Sequence, residues 1–390
     1  MNIISDTDSL AEFCRELRRA PYITVDTEFM RESTFWPILC LVQVAGPDRA
    51  EAIDPMAPGI SLEPLLELMR DHDVLKVFHA ARQDIEIFHR LMGGDVPEPL
   101  FDTQVAAMVC GFGEQASYEN LVAQLAKATI DKSSRFTDWS RRPLSERQIR
   151  YALSDVTHLR TVYEKLHERL EKSGRADWLN DEMATLLDPE TYQLRPEDAW
   201  KRLKTRTTNP RFLGVLAEVA AWRETFAQMR DIPRNRVLRD EALLEIASDP
   251  PKTVEQLARV RGLSRSLADG RMGADILAAV ERGLAMPAEA LPHVEREQPL
   301  PRGIGPLVDL LKVLLKLQCE THDVAQKLVA STSDLERIAA DDNAAVPALS
   351  GWRREVFGAA ALDLKHGRLA LAARDRRIKL VPLKETAEID

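Results

Sequence analysis

A mixed-sheet α/β domain followed by two all-helical units is the architecture that this sequence predicts. Three observations carry it. Residues 1–192 alternate strand-like and helix-like runs; helical periodicity takes over from residue 212, with no strand pattern after it; and five prolines between residues 284 and 306 (Pro287, Pro292, Pro299, Pro301, Pro306) interrupt that helical half. Early strands with helices laid on them form a layered α/β domain, whereas prolines at that density break helices and read as a linker. The expected division is an α/β domain at 1–192, a linker at 193–210, a helical unit at 211–283, a proline-rich linker at 284–303, a second helical unit at 304–375 and a charged tail at 376–390.

The elements follow in order. Residues 22–29 alternate apolar and polar side chains as a short strand, 38–44 form a second strand, and 51–54 a third. Residues 62–70 have the spacing of an amphipathic helix, 74–79 read as another strand, and a helical stretch runs on to residue 91. After Phe101 the pattern is mostly helical. Ser145 with Gln148 three residues later is a capping box, so a long helix begins there. Its buried stripe is Ile149, Ala152, Leu153, Val156, Tyr163, Leu166 and Leu170. Gly111-x-Gly113-x-x-Ala116 fits a dinucleotide fingerprint on paper, but it follows no strand and no βαβ unit surrounds it.

Composition narrows the class. The chain has 390 residues, 45% hydrophobic and 29% charged, which is enough apolar material for more than one core. Charge interrupts every apolar stretch, so no membrane span is expected. The first eight residues are polar and acidic, unlike a signal peptide, and a cytoplasmic location is the expectation. Cys14, Cys40, Cys110 and Cys319 are scattered, which disfavours a disulfide framework or a zinc knuckle. No Walker A motif and no G-x-S-x-G elbow is present. The net charge of −9 is unusual for a nucleic-acid binder. An enzyme that holds metal ions needs clustered carboxylates, however, and basic residues only along the path of its substrate.

Four carboxylates and a tyrosine carry chemistry. Asp26 and Glu28 are two apart in the strand Val25-Asp26-Thr27-Glu28-Phe29, so they project from one face of an otherwise apolar segment. Two acids so close repel unless a cation neutralises them, and Mg²⁺ or Mn²⁺ prefers such oxygen ligands. Asp84 falls in the first turns of the helix after the 74–79 strand, where an acid is also favourable for the helix dipole. Tyr151 and Asp155 are one turn apart on the capped helix. At about 100° per residue both project from the flank of its buried stripe, roughly 110° and 70° from the stripe's centre. That placement suits the wall of a cleft. Asp102 reads as an N-cap before Thr103, and His79 as a strand-end histidine without a chemical role.

The set D-x-E, then D, then Y-x-x-x-D resembles the three motifs of the DEDD exonuclease superfamily, in the branch with tyrosine in the third motif. The surrounding words are similar to the ribonuclease D family: Thr24-Val25-Asp26-Thr27-Glu28-Phe29, Phe78-His79-Ala80-Ala81-Arg82-Gln83-Asp84, Phe101-Asp102-Thr103, and Asp138-Trp139-Ser140-Arg141-Arg142-Pro143-Leu144. The resemblance covers residues 20–170 and implies a ribonuclease-H-like α/β exonuclease fold. It also implies a catalytic set of Asp26, Glu28, Asp84, Tyr151 and Asp155. The four acids would hold two divalent ions, Mg²⁺ or Mn²⁺, and Tyr151 would orient the attacking water. The expected reaction is 3′–5′ hydrolysis of RNA with release of nucleoside 5′-monophosphates. tRNA precursors are the first expected substrates, and no obligate protein partner is evident.

Ala221-Trp222-Arg223-Glu224 with Ile232-Pro233-Arg234-Asn235-Arg236-Val237-Leu238-Arg239-Asp240 resembles the helicase and ribonuclease D C-terminal (HRDC) domain. Residues 304–375 would be a second, more divergent copy. Lys201, Arg202, Lys204, Arg206 and Arg211 lie in a segment with no acid between them, a candidate contact for RNA phosphates. Arg141 and Arg142 are candidates nearer the site. Phe29, Phe136 and Trp139 are candidates for stacking a terminal base, with core packing the other reading for Trp139. A DNA 3′–5′ exonuclease and a catalytically inactive RNA-binding protein are the alternatives that the same residues allow.

Overall fold

The computed structural model describes residues 3–114, 116–131, 134, 137–205, 207–293 and 300–383. Phe136 and Arg206, both candidate substrate contacts, lie outside the described residues. The first half is built on one mixed sheet. Its strands are β1 (Ile3–Ile4), β2 (Tyr22–Met30), β3 (Ile38–Ala45), β4 (Ala50–Ile53), β5 (Leu75–Phe78) and β6 (Leu100–Asp102), in the order β1-β4-β3-β2-β5-β6. β2 pairs antiparallel with β3 and parallel with β5, and so sits at the centre of the sheet.

The alternation in β2 explains its place. Ile23 and Val25 are fully buried among Leu10, Phe13, Leu65 and Phe88, the layer supplied by α1 (Thr7–Leu17), α2 (Glu63–Arg70) and α3 (Arg82–Leu91). Thr24, Asp26 and Glu28 take the other face, where the Thr24 hydroxyl donates to the Val156 carbonyl at 2.8 Å. Between β6 and that covering helix come α4 (Thr103–Val109) and the short α5 (Tyr118–Leu121). The covering helix, α6 (Glu146–Ser173), is capped as expected: Ser145 and Gln148 form the full capping box, and Gly174 closes it with φ 65°.

Three elements of the first domain were not legible: β1, α1, whose N-cap is Asp6, and the three-residue β6. At the other end, the expectation of helices alone fails. After α7 (Asn180–Leu187) and α8 (Pro210–Arg230) further helices follow, but β7 (Leu369–Arg374) and β8 (Arg377–Pro382) then form an antiparallel hairpin. Its turn is made by Asp375 and Arg376, both at positive φ (52° and 62°). A two-residue turn with both φ positive is the type I′ geometry usually announced by Asn-Gly. Here two charged residues occupy it, so the segment reads as a charged tail.

The helical half meets the sheet domain at two places. Residues 210–285 have their own core, with Leu216, Val219, Leu243, Ile246 and Ile276 fully buried. Glu224, also fully enclosed, pairs with Arg234 and Arg202. Where α8 ends, Asp231 accepts the backbone N–H groups of Phe35 and Trp36, at 3.1 and 2.9 Å. This fastens the loop that follows β2. The last unit joins the sheet domain's own core: Leu311, Leu314 and Phe357 pack in one cluster with Val109, Leu159 and Leu166. Trp178 and Trp352 stack at 4.2 Å with planes 6° apart. Beside them the buried Arg353 bonds Asp181, Glu182 and the Leu328 carbonyl. No described helix is long and apolar enough to cross a membrane.

Candidate active site

Asp26, Glu28 and Asp155 converge. Each offers a carboxylate oxygen, and these oxygens lie within 4.8 Å of one another. Two come from one face of β2 and the third from the middle of α6, which lies across that face. The β2–β3 register slips between Glu28 and Phe29: Glu28 faces Leu41, whereas Phe29 faces Leu39. The extra residue is Cys40 of β3, so it is β3 that bulges, opposite the step from Glu28 to Phe29.

Two of the acids resist ionisation. Burial pushes the Asp26 carboxyl from an ordinary 3.8 up to about 7. Asp84 is pushed up by burial first and by the Asp26 charge second. It lies apart from the three-carboxylate cluster and accepts a short hydrogen bond from Thr27, the residue between Asp26 and Glu28. Hard oxygen donors this close, with Asp26 among them reluctant to ionise, fit a divalent cation, which would favour the charged form.

Asp84 is held by a turn that Asp102 organises. The Asp102 carboxylate, 3% exposed, accepts backbone N–H groups from Ala80 (3.0 Å), Ala81 (2.9 Å) and Gln104 (2.7 Å). The N-cap reading of Asp102 is therefore incomplete: it also ties down the β5–α3 turn, where Ala80 stands at φ 57°. His79 bonds Thr103 at 3.0 Å, and burial lowers its pKa, so it is neutral at pH 7.

A cleft of about 550 Å³ opens over the cluster, lined by Asp26, His79, Gln104, Tyr118, Tyr151 and Asp155. Tyr151 and Asp155 form its wall, as the helix geometry predicts. Burial, then the charges of Asp155, Glu28 and Asp26, push the Tyr151 hydroxyl above its ordinary 10. A phenol held that way donates a hydrogen bond and is a poor base. Sequence reasoning missed Tyr118, whose hydroxyl donates to the backbone carbonyls of Asp155 and Ser154 and so pins α6 where it carries the third acid. Its partner is 37 positions away, so no local spacing marks it.

Several expected substrate contacts are structural instead. Trp139 is 2% exposed, with its ring 6.1 Å from that of Tyr151, so it backs the tyrosine and offers no face to a base. Arg142 grips Asp54 with two bonds (2.7 and 2.6 Å) and also donates to the carbonyls of Cys40 and Trp139. Arg142→Ala is therefore expected to cost about 3 kcal/mol of stability in urea denaturation, with little change in RNA affinity. Arg211 donates to the carbonyls of Leu284 and Met286. Lys201 pairs with Asp198 and Arg202 with Glu224, although both remain exposed, as do Arg141 and Lys204. Phe29 is half-buried at the end of β2.

Acids from a central strand and a crossing helix, with a tyrosine one turn from the helical acid, define a 3′–5′ exonuclease of the DEDD class. Known proteins agree. A family model described as 3′–5′ exonuclease matches residues 1–171, and the HRDC domain model matches residues 212–280. Ribonuclease D of Gluconacetobacter diazotrophicus is 54% identical, over 97% of this chain and 96% of that one. Ribonuclease D of Granulibacter bethesdensis is 52% identical, over 97% and 96%. The solved structure of Escherichia coli RNase D, described as an exoribonuclease involved in structured RNA processing, superposes with a TM-score of 0.80 at 33% identity, covering 94% of this chain and 99% of that one. The chain belongs to the ribonuclease D family of 3′–5′ exoribonucleases, which act on RNA with divalent metal ions.

Proposed function

We propose that the chain trims the 3′ ends of tRNA precursors and other structured RNAs in the cytoplasm, releasing nucleoside 5′-monophosphates one at a time. The observation that carries this reading is the Asp26–Glu28–Asp155 cluster at the floor of a cleft that Tyr151 walls. The processing of structured RNA by the Escherichia coli relative supports the substrate class.

In this reading Asp26, Glu28 and Asp155, with Asp84 beside them, would hold the divalent ions. When bound, two such ions, Mg²⁺ or Mn²⁺, lend positive charge to the attacking and leaving oxygens of the phosphodiester. The protein does the positioning. Tyr151 donates its hydroxyl hydrogen toward the scissile phosphate's neighbourhood and orients the attacking water. Asp102 and Thr27 keep Asp84 in place, and Tyr118 keeps Asp155 in place. Phe29 stacks on the terminal base, while Arg141, Lys201, Arg202 and Lys204 meet backbone phosphates further along the strand. Residues 211–283 then act as an HRDC domain that assists RNA binding. Residues 304–375 are its divergent second copy, extended by the β7–β8 hairpin.

Tyr151→Phe is expected to lower kcat about 100-fold while KM changes little, because the hydroxyl acts on the reacting groups and not on the bound strand. Single-turnover and steady-state rates on one oligoribonucleotide measure both. The test of the function itself uses a 3′-extended tRNA precursor labelled at its 5′ end. With Mg²⁺ or Mn²⁺ a ladder shortening by single nucleotides is expected, and EDTA abolishes it. Degradation of single-stranded DNA in preference to RNA would replace this reading with a DNA exonuclease. Tight RNA binding without cleavage in either metal would leave a binding protein.

A further inference from the structure

Gln43 lies directly opposite Asp26 in the β2–β3 ladder, and on its other side it faces Ala52 of β4. Residues directly opposite in an antiparallel pair share a face, with their Cβ atoms about 5 Å apart. Gln43 therefore projects from the face that carries Asp26 and Glu28, beneath α6. It is fully buried, and among the described residues neither its amide nitrogen nor its amide oxygen has a hydrogen-bond partner. Its immediate surroundings include the apolar Leu41, Ala52 and Ala152, all fully enclosed, and the buried Thr24 on this face already donates to the Val156 carbonyl.

An amide buried without partners is unfavourable, and a methionine would fill the same volume without that cost. The polar group nearest in the register is the Asp26 carboxylate. A carboxylate has about four acceptor positions, so one that ligates an ion still has room for a donor. Metal-ligating carboxylates are commonly steadied by such a hydrogen bond from behind.

We propose that Gln43 is a positioning residue for Asp26: its Nε2–H donates to the Asp26 carboxylate when that group ligates a divalent ion. The amide then fixes the rotamer of Asp26, one of the three clustered acids. This rests on the reading of Asp26 as a metal ligand.

Gln43→Met separates this role from core filling, because it keeps the volume and removes both polar ends. Mn²⁺ binding is read by electron paramagnetic resonance of the free ion, and thermal unfolding by circular dichroism in EDTA. Binding about 10-fold weaker than wild type is expected. The metal-free Tm should stay the same or rise, since an unpartnered amide has been replaced by an apolar group. Loss of affinity without loss of stability is a pattern that a purely structural residue would not give. Wild-type Mn²⁺ affinity in Gln43→Met overturns the inference alone. If wild type itself binds Mn²⁺ no better than Asp26→Asn does, the metal-ligand reading falls and takes the inference with it. Should Gln43→Met fail to fold, the wild-type protein still answers. In ¹⁵N-labelled protein the Gln43 side-chain amide should shift on addition of Mg²⁺ and exchange more slowly with solvent. An amide signal that Mg²⁺ leaves unmoved refutes the role.

Discussion

Asp26→Asn is expected to lower kcat about 1,000-fold or more and, at the same time, to make the metal-free protein more stable at pH 8. The first effect follows from removing one of the clustered acids that would hold the divalent ions, a loss of several kcal/mol of transition-state stabilisation. The second follows from the sign of its titration. Burial raises the Asp26 carboxyl from 3.8 to about 7, so between those values the folded protein holds a proton that the unfolded chain has released. Stability must then fall as pH rises from about 4 to about 7 and level off above. Asparagine removes this contribution. Mg²⁺ offsets it as well, because binding needs the ionised acid and releases the proton. The Tm gained on adding Mg²⁺ should therefore be larger at pH 8 than at pH 5 in wild type, and nearly absent in Asp26→Asn. Scanning calorimetry at the two pH values, with Mg²⁺ or EDTA, measures all of this. A wild-type Tm in EDTA that rises from pH 5 to pH 8 would contradict the account.

Asp102→Ala is expected to cost about 4 kcal/mol and to slow the reaction as well. Three backbone N–H groups lose their acceptor at once, in a place closed to water, and each such bond to a charged group is worth roughly 1.5 kcal/mol or more. Two of them belong to the β5–α3 turn, whose residue Ala80 holds a positive φ (57°) that alanine rarely adopts. Without the carboxylate that turn relaxes, and Asp84, three residues into the next helix, moves with it. Asp102→Asn keeps one acceptor oxygen and should retain roughly half of the stability. Urea denaturation gives the cost, and cleavage rates of the folded fraction give the displacement of Asp84.

The carboxylate set was legible because its geometry is local in two of three parts. Alternation in a strand places Asp26 beside Glu28, and the capping box at Ser145 fixes the phase of the helix that presents Tyr151 and Asp155. What brings the parts together is tertiary and leaves no periodic trace: the Thr24 hydroxyl on the Val156 carbonyl and the Tyr118 hydroxyl on the Asp155 carbonyl. Basic residues misled for a related reason. A sequence shows that Arg142 and Arg211 carry charge, but not that a distant aspartate or a helix-end carbonyl already takes it. The C-terminal strands were hidden by a turn built from Asp375 and Arg376 in a backbone conformation normally left to glycine and asparagine.

The Trp178–Trp352 stack and the apolar layer around it also bear on modularity. The unit at 210–285 has a core that it shares only with Ala199 and Leu203 just before it, and it meets the sheet domain through a smaller, separate cluster around Phe35, so it has more nearly the form of a cassette. The last unit does not. Its Leu311, Leu314 and Phe357 complete a wall begun by Val109 and Leu159, so excising it would leave that wall bare and prone to self-association. The nuclease and its C-terminal helices therefore stand or fall together, however far apart they lie along the chain.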